Sequence, residues 1–414
     1  MDEKLTRALP VLERLTAAGH QAYFVGGCVR DALLGRPLGD VDIATSARPE
    51  TVMALFPKHA PTGIKHGTVT VFLEGRSYEV TTFRTEAEYE NFRRPAEVAF
   101  VDDIAEDLKR RDFTVNAMAM DAVGRVIDPF GGTADLNRRV IRCVGNPDER
   151  FREDALRMIR AVRFAAQLAF RIAPSTWRAI KRNADLLRHI ALERVGAELD
   201  KMIGGADPDR AAALFVRSGL WRTTKTPLEA PGRPACAGQL RLADLEAGDL
   251  RWIALWAASN VPPETARRWM SRFAFGKKRM HAIFAPLQLH AAAAGIPGTR
   301  DDWAELALTH GRRAASDWLA VMRALPGISP VPPETLERWS AWLQDMPAFS
   351  AAELALDGTA LADAAGRKGG PWIRRTMDRL LLETAAGRLP NERGALLARA
   401  LQILDTLADG KDEP

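Results

Sequence analysis

Two aspartates separated by a single residue, Asp40 and Asp42, follow a glycine-rich segment. Side chains alternate between the two faces of a β-strand, so both carboxylates would point the same way, about 6–7 Å apart. Two carboxylates on one face repel each other unless a positive charge lies between them. Mg²⁺ bound through one or two carboxylates plus substrate phosphates would supply that charge and is typical of phosphoryl transfer. The alternative is that Asp40 caps a turn and Asp42 is simply exposed.

The preceding segment, FVGGCVRDALLG, favours a phosphate site. Gly26 and Gly27 follow a predicted strand and open a predicted helix, where backbone N–H groups and the helix dipole attract anions. Arg30, in the first turn, can add a charge-assisted contact to the same phosphates. The segment matches neither the P-loop pattern nor the dinucleotide-binding fingerprint. The segment therefore predicts a phosphate-binding site within about fifteen residues of the metal site, and this site is neither a P-loop nor a dinucleotide-binding fold.

A third cluster lies in REDALRMIRAVRFAAQL, residues 152–168. On one helix, Asp154 and Arg157 would be i,i+3 neighbours, and Arg160 would lie beside them. A carboxylate only accepts hydrogen bonds and a guanidinium only donates them. Cytosine and adenine each present an amino donor next to a ring-nitrogen acceptor, whereas uracil and guanine present the opposite order. One Asp–Arg pair could therefore select cytosine and adenine together, although a plain surface ion pair would give the same pattern.

Positive charge is concentrated around this cluster. Residues 138–188 hold 13 Lys and Arg against five Asp and Glu, a net charge of +8 in a chain whose total is +5. Such an excess is what a nucleotide or nucleic-acid site requires. Arginine-rich helix faces exposed to water would give the same excess.

The elements that must position these residues change along the chain. Up to about residue 145, an amphipathic helix with Leu5, Leu12 and Leu15 alternates with short strands, including the hairpin TVTVFL-EGRS-YEVTTF. After Asn146 the strands stop and helical periods continue to the end. The pattern predicts a small mixed sheet followed by an all-helical remainder, an α+β chain of several domains.

Composition limits the classes of protein. At 414 residues the chain is too long for one ordinary core. The first residues mix both charge signs without an apolar stretch, and no apolar run is long enough to span a bilayer. Three cysteines without metal-ligand spacing suit a reducing compartment. These features predict a cytoplasmic protein that is not bound to a membrane, and no protein partner is inferred.

Together the segments GGCVRDALLG and GDVDIATSARPE closely resemble the signature of class II nucleotidyltransferases, the family of bacterial tRNA CCA-adding enzymes and bacterial poly(A) polymerases. IAEDLKRRDFTVNAMAMD resembles the family's Arg-Arg-Asp motif, and Glu153, Asp154 and Arg157 resemble its base-reading motif. The resemblance is dense over residues 23–170, moderate through ALERVGAELDKMI and faint in the body. It returns in the tail, and tRNA contacts in the body cannot be placed from it.

The resemblance implies a role for each matching residue. Asp40 and Asp42 would hold two Mg²⁺ ions, and Glu79 would be either a third catalytic carboxylate or an ordinary strand-face glutamate. Residues 84–95 resemble a flexible loop that helps the site change from cytosine to adenine. The residues expected to bind the nucleotide are Gly26, Gly27, Arg30, Arg111, Asp112, Asp154, Arg157, Arg160 and Arg163.

The resemblance also implies an architecture and a reaction. We expect a polymerase-β-like catalytic head at residues 1–138, a helical neck at 139–204, a helical body at 205–330 and a helical tail at 331–414. The expected reaction is template-independent addition of C, C and A to the 3′ end of tRNA from CTP and ATP. A poly(A) polymerase or an enzyme that adds only CC or only A is the nearest alternative. A catalytically silent RNA-binding module is a further alternative, against which the presence of both aspartates argues.

Overall fold

The structure, a computed structural model, describes residues 2–90, 94–225, 240–246 and 248–408, with only the backbone described at 86–90, 94–98 and 406–408. The chain divides into two compact units, residues 1–230 and 231–414. The helices of the first unit are α1 (Glu3–Ala17), α2 (Gly27–Leu33), α3 (Pro49–Leu55), α4 (Ile104–Lys109), α5 (Gly132–Asn137), α6 (Pro147–Glu153), α7 (Leu156–Gln167), α8 (Pro174–Asn183), α9 (Leu192–Ile203) and α10 (Pro208–Ser218).

The first unit is built on a mixed sheet of seven strands in the order β3-β4-β5-β2-β1-β8-β9. Only the central β2–β5 pair is parallel, and the other neighbours are antiparallel. This arrangement confirms the predicted mixed sheet. The strands are β1 (Ala22–Val25), β2 (Asp42–Thr45), β3 (His59–Gly63), β4 (Thr68–Leu73), β5 (Arg76–Thr82), β6 (Arg84–Glu90), β7 (Arg94–Phe100), β8 (Ala119–Met120), β9 (Val126–Ile127), β10 (Val140–Ile141) and β11 (Arg171–Ile172).

Apolar side chains at strand and helix spacing hold this unit together. The amphipathic helix α1 buries Leu5, Val11, Leu12 and Leu15, as its sequence predicts. A second cluster that includes Val25, Ala44, Phe83, Leu108 and Ala119 joins β1, β2 and β8 to α4. Both ends of β2 are therefore anchored in the core, which fixes the backbone that carries Asp42.

The predicted hairpin is confirmed, with Leu73 opposite Arg76 across a two-residue turn. Glu74 and Gly75 have φ of +52° and +74°. Positive φ at both central residues defines the turn that suits a twisted hairpin, and it strongly favours Asn-Gly. Glu74 is a poor occupant of that position because its side chain disfavours left-handed backbone.

We expect Glu74→Asn to stabilise the first unit by about 0.5–1 kcal/mol, because asparagine adopts this conformation at a lower cost. Urea unfolding of the whole chain measures the change. Glu50→Asn, at an exposed position in the first turn of α3, is the control and should bring no gain. A fall in the free energy of unfolding for Glu74→Asn would contradict this account of the turn.

Three local features differ from the sequence prediction. Strand β2 begins at Asp42, so Asp40 lies in the preceding loop, and the prediction that both aspartates project from one strand is wrong. Strands do not stop at Asn146, because β11 pairs in parallel with β10. The predicted helix over residues 152–168 is interrupted at Asp154, which has extended backbone angles of φ −142° and ψ 104°.

The second unit is helical throughout its described residues. Three tryptophans, Trp303, Trp318 and Trp339, are fully buried at its centre, with Trp303 and Trp339 stacked at 4.6 Å between ring centroids. Its helices are α11 (Asp249–Ala258), α12 (Pro263–Arg272), α13 (Lys277–Ala293), α14 (Arg300–His310), α15 (Arg312–Ala324), α16 (Pro333–Asp345), α17 (Gly358–Ala365), α18 (Pro371–Ala385) and α19 (Arg393–Ala408).

Within the described ranges, no helix combines the length and the apolar composition that crossing a bilayer would need. The four-domain division at residues 138, 204 and 330 stays a prediction. Of the three cysteines, Cys28 and Cys143 are buried free thiols, and Cys236 lies outside the described residues.

Candidate active site

Two cavities of about 410 and 460 Å³ adjoin each other in the first unit and share Gly27, Arg30 and Asp42 as a common wall. We call the first the arginine pocket. It is lined by Gly26, Gly27, Arg30, Asp42, Arg110, Arg111, Asp112, Asn116, Asp154, Leu156, Arg157, Arg160, Phe164 and Arg194. We call the second the acidic pocket. It is lined by Gly27, Cys28, Arg30, Asp31, Gly39, Asp40, Val41, Asp42, Thr70, Ser77 and Glu79.

The acidic pocket gathers carboxylates on the central strands. Asp42 at the start of β2 is the direct register partner of Glu79 in β5, and Asp40 lines the same cavity from the loop before β2. Burial raises the pKa of Asp42 to about 6, and Glu79 and Asp40 add to that rise while Arg111 opposes it. Among the described residues, none of these three carboxylates forms an ion pair. Negative charge is thus concentrated here, and the nearby guanidinium groups of Arg30 and Arg111 form no ion pair with these three carboxylates among the described residues.

These carboxylates are a suitable but incomplete donor set for a divalent cation. Within the described residues, no group of three or more His, Cys, Asp and Glu side chains is arranged to hold a metal ion by itself. Mg²⁺ usually takes only one or two protein carboxylates and completes its shell with water and substrate phosphates. Asp40 and Asp42 supply that number of ligands, so the residues fit Mg²⁺ bound together with a phosphate substrate.

The wall between the pockets is a tight glycine turn. Gly26 caps α2 with φ +78° and ψ −127°, a conformation that disfavours every residue except glycine. A Cβ at Gly26 would lie 2.8 Å from Nη1 of Arg111. The guanidinium of Arg111 therefore lies directly against the glycine backbone.

Arg30 is held rigidly at the junction of the two pockets. It is buried, it donates from Nε and Nη2 to both carboxylate oxygens of Asp31 at 2.9 and 2.7 Å, and Nη1 donates to Asn116 at 2.6 Å. Its guanidinium also lies 5.3 Å from the centre of the Phe164 ring. The charge is thus fixed in place before any ligand binds.

Arg110 and Arg111 share one buried carboxylate. Asp107, on α4, accepts from Arg110 at 2.8 Å and from Arg111 at 3.3 Å. Burial alone would raise the pKa of Asp107, but the two guanidinium groups outweigh burial and hold it below its usual value. Nε of Arg111 is buried and has no hydrogen-bond partner within the described chain. Arg111 therefore lines the pocket and keeps one buried donor unsatisfied.

Asp112 is bound to Arg160 across the pocket floor. Arg160 donates from Nη2 and Nε to Asp112 at 2.7 and 2.8 Å, and Nδ2 of Asn116 donates to the same carboxyl group at 3.1 Å. Burial would raise the pKa of Asp112, yet Arg160 and Asn116 hold it below its ordinary value. The carboxylate consequently stays charged and anchors the arginine.

Asp154 and Arg157 both line the arginine pocket, but they do not pair with each other. Asp154 accepts from Arg194 at 2.8 and 3.3 Å and from the backbone N–H of Leu156 at 3.1 Å. Arg157 donates to Glu153 at 2.6 Å. Asp154 and Arg157 are therefore not i,i+3 neighbours on one helix, and that prediction is wrong. Asp154 lies in the break between α6 and α7, whereas Arg157 lies on α7.

Arg163 does not line the pocket. It is buried, it donates to Glu198 at 2.6 Å and its guanidinium lies 4.1 Å from the centre of the Phe164 ring. Arg163 thus packs against Phe164, which lines the arginine pocket. The loop expected at residues 84–95 lies mostly outside the described side chains, although its backbone forms the antiparallel pair of β6 and β7.

Six residues that this region uses were not predicted from the sequence: Asp31, Asp107, Asn116, Phe164, Arg194 and Glu198. Only Glu198 leaves a clear signal. It falls on the same face of α9 as Val195 and Met202, and a carboxylate on an apolar helix face needs a buried partner. Arg194 lies one turn earlier on that helix and could have been found with it.

Comparison with known proteins places these features in a family. Residues 22–142 match a family described as the poly A polymerase head domain. Residues 169–224 match an RNA and SrmB-binding site of polymerase A. Residues 243–400 match a tRNA nucleotidyltransferase domain 2.

Similar proteins match over the whole length. The chain is 42% identical to a CCA-adding enzyme of Geobacillus stearothermophilus over 405 residues, which is 96% of this chain and 97% of the relative. It is also 42% identical to a CCA-adding enzyme of Lactobacillus delbrueckii subsp. bulgaricus, over 95% of this chain and 97% of that one. The crystal structure of Bacillus stearothermophilus CCA-adding enzyme in complex with CTP superposes with a TM-score of 0.85 at 39% identity and covers 99% of this chain and 100% of that chain.

Proposed function

Because the chain belongs to the family of CCA-adding enzymes, we propose that it adds C, C and A to the 3′ end of tRNA from CTP and ATP without a template. In each step the 3′-hydroxyl oxygen of the RNA attacks the α-phosphorus of the nucleotide. A new P–O bond forms, the bond from the α-phosphorus to the bridging oxygen breaks, and pyrophosphate leaves. The proton of the hydroxyl passes to a base, for which Glu79 is our candidate.

The observation that carries this proposal is the shared wall of the two pockets. Asp42 faces the arginine pocket on one side and the acidic pocket on the other. A transfer reaction needs the attacking hydroxyl oxygen and the α-phosphorus of the nucleotide about 3–3.5 Å apart, both within reach of the same carboxylate. The arginine pocket suits the nucleotide, and the acidic pocket suits Mg²⁺ and the RNA terminus.

We assign Asp40 and Asp42 to hold Mg²⁺ in a two-metal site. The metal would activate the attacking hydroxyl and neutralise the charge on the leaving pyrophosphate. The chain itself contributes the position of Asp42, fixed by its strand pairing with β5, and the nearby carboxylate of Glu79. Glu79 lies next to Asp42 and lines the acidic pocket, not the arginine pocket. A base for the RNA hydroxyl would be needed in the acidic pocket.

Three groups are positioned to hold the triphosphate. The glycine turn brings backbone N–H groups to the pocket, and Arg30 is fixed beside it by Asp31 and Asn116. Arg111 reaches the same turn with an unsatisfied buried Nε. Charge-assisted hydrogen bonds from these groups are stronger than neutral ones and would bind polyphosphate tightly.

We assign base selection to Asp154 and Arg157. Asp154 offers an acceptor for the amino group of cytosine or adenine, and Arg157 offers a donor for the adjacent ring nitrogen. Asp112, held by Arg160, is our candidate for the ribose hydroxyls. Arg163 contacts the ring of Phe164 and the carboxylate of Glu198 and does not line the pocket, so we assign it a supporting role.

Gly26→Ala should raise the KM for CTP by roughly tenfold. A Cβ would displace Arg111, and one hydrogen bond to a charged group is worth about 1.5–3 kcal/mol. Gly248→Ala is the matched control, because Gly248 has similar backbone angles (φ +96°, ψ −129°) but open space around it. Both variants should lose stability through backbone strain, and only Gly26→Ala should lose nucleotide affinity. Equal KM values in both variants would contradict the placement of Arg111.

The RNA would be held mainly through its phosphates by positive surface of the neck and body. We therefore expect tRNA binding to weaken steeply as salt rises. With tRNA as its substrate, the enzyme would work in the cytoplasm. The head, neck, body and tail boundaries at residues 138, 204 and 330 are retained in this proposal.

Extension of three tRNA transcripts tests the function. The transcripts end before, within and after CCA, and each is incubated with CTP, ATP or both. Addition of CC from CTP, of A only after CC, and nothing after CCA is the expected pattern. A long A tail would identify a poly(A) polymerase, CC or A alone would identify a partial enzyme, and no addition would favour a silent RNA-binding module.

A further inference from the structure

Arg194 is the one arginine of the arginine pocket that comes from α9, about 40 residues after Asp154. Its guanidinium meets the carboxylate of Asp154 in a two-pronged contact, with Nη2 2.8 Å from Oδ2 and Nη1 3.3 Å from Oδ1. The side chains of Arg194 and Asp154 are about one quarter and one fifth exposed. This pair is therefore shielded from bulk water and oriented by the fork of the guanidinium.

We propose that Arg194 is a positioning residue for base selection, which keeps Asp154 apart from the neighbouring arginines and aimed at the amino group of cytosine or adenine. This inference rests on the proposed function, because it assumes that Asp154 reads the base. It adds a residue that neither the sequence motifs nor the pocket's phosphate chemistry identifies.

Without Arg194, Asp154 would have two other arginines of the pocket within reach. Arg157 and Arg160 line the same pocket, and the charge of Asp154 already contributes to the raised pKa of Arg160. A carboxylate freed from Arg194 would turn towards one of these guanidinium groups. The resulting ion pair would occupy the acceptor and the donor that the base needs.

The structure prevents this by giving each reading group its own partner. Arg194 binds Asp154, and Glu153 binds Arg157 through Nη1 at 2.6 Å. The backbone N–H of Leu156 holds Asp154 from a second direction at 3.1 Å. The charges of Asp154 and Arg157 are thus each balanced by a separate partner, and both side chains can still form hydrogen bonds with a base.

The helix that carries Arg194 is itself firmly fixed. Glu198, one turn later on α9, is buried and accepts from Arg163 at 2.6 Å, with Arg160 at 3.8 Å. The apolar side chains of Val195 and Leu199 are buried on the same helix. Rigid backing of this kind is what a residue needs in order to fix the orientation of another side chain.

The experiment compares Arg194→Ala and Arg194→Lys with the unchanged enzyme and with Arg374→Ala. Arg374 is an exposed arginine on α18, paired with Asp378 and outside both pockets and the neck and body, so it is a matched control. The value of kcat/KM is measured for CTP and UTP on a transcript lacking CCA, and for ATP and GTP on one ending in CC. Inhibition by tripolyphosphate measures binding of the phosphates separately from base selection. Thermal unfolding measures the stability of each variant.

We expect Arg194→Ala to lower the preference for CTP over UTP by roughly 10- to 100-fold, the scale of one good two-pronged contact. Tripolyphosphate inhibition should change less than about threefold. Arg194→Lys keeps the charge but not the two-pronged geometry of the guanidinium. Its preference for CTP over UTP should therefore lie between those of the unchanged enzyme and Arg194→Ala. In the double variant Asp154→Ala/Arg194→Ala, the preference should be no lower than in Asp154→Ala alone, because Arg194 acts only through Asp154.

Three results would overturn the proposal. The first is an unchanged CTP preference in both Arg194 variants. The second is an equal loss for all nucleotides together with weaker tripolyphosphate inhibition, which is what a merely structural role predicts. The third is an additive loss in the double variant. If the unchanged enzyme transfers nothing, the proposed function fails, and calorimetric binding of CTP and UTP to the unchanged protein and Arg194→Ala then tests the inference by itself.

Discussion

Asp42→Asn should lower kcat for CTP addition by about 10³-fold or more. The amide keeps the size of the carboxylate but removes the charge that a metal ion requires. Metal stabilisation of the transition state is worth several kcal/mol, and each 1.36 kcal/mol corresponds to a tenfold change in rate. Single-turnover extension of a tRNA transcript at saturating CTP measures the effect on the transfer step.

The fold and the nucleotide site should survive this substitution. Burial beside Glu79 already opposes the charged form of Asp42, so a neutral amide relieves repulsion, and the thermal midpoint should stay the same or rise. Binding of CTP, measured by calorimetry, should change by less than about tenfold. Asp185→Asn, at an exposed carboxylate outside both pockets, is the control and should transfer normally. Transfer within tenfold of the unchanged enzyme would mean that Asp42 is not a metal ligand.

Asp154→Ala should blur the choice of base far more than it weakens binding of the triphosphate. Losing the acceptor for the amino group removes about 1–3 kcal/mol of discrimination, a factor of roughly 5–150 between CTP and UTP. The phosphate contacts that we propose for Arg30 and Arg111 do not involve Asp154 and should be unaffected. Competition between labelled CTP and UTP for one transcript measures the ratio directly.

The control for this variant lies on the helix that precedes Asp154. Glu149 is exposed on α6 and does not line either pocket, so Glu149→Ala should keep the full preference for CTP and ATP. If UTP and GTP remain excluded by Asp154→Ala, another group reads the base. Proportional loss of CTP and UTP addition would likewise assign Asp154 to catalysis or folding rather than to selection.

Local patterns in the sequence were sufficient for several elements of the first unit. The glycine pair before α2 and the hairpin with Glu74 and Gly75 each depend on neighbours only a few residues away. Such features follow from backbone preferences and the period of side chains along an element. Two of the residues singled out in this way, Gly27 and Asp42, line both pockets.

Contacts between distant segments could not be predicted in this way. The helical period of residues 152–168 gives no sign of the contact that Asp154 makes with Arg194, 40 residues later. Some arginine partners likewise come from another element, as Arg160 with Asp112 shows. Which carboxylate neutralises which guanidinium is decided by tertiary packing, and a single sequence records only that both signs are present.

The crowding of six arginines around one cavity of about 410 Å³ has a consequence for the protein between reactions. Carboxylates in the lining and behind it already pair with these guanidinium groups: Asp112, Asp154, Asp31, Asp107 and Glu153. A bound polyphosphate would add further charge-assisted hydrogen bonds to this network. Nucleotide therefore acts on the folded state as a stabiliser as well as a reactant, and a cell poor in CTP and ATP would hold a more fragile enzyme than a well-supplied one.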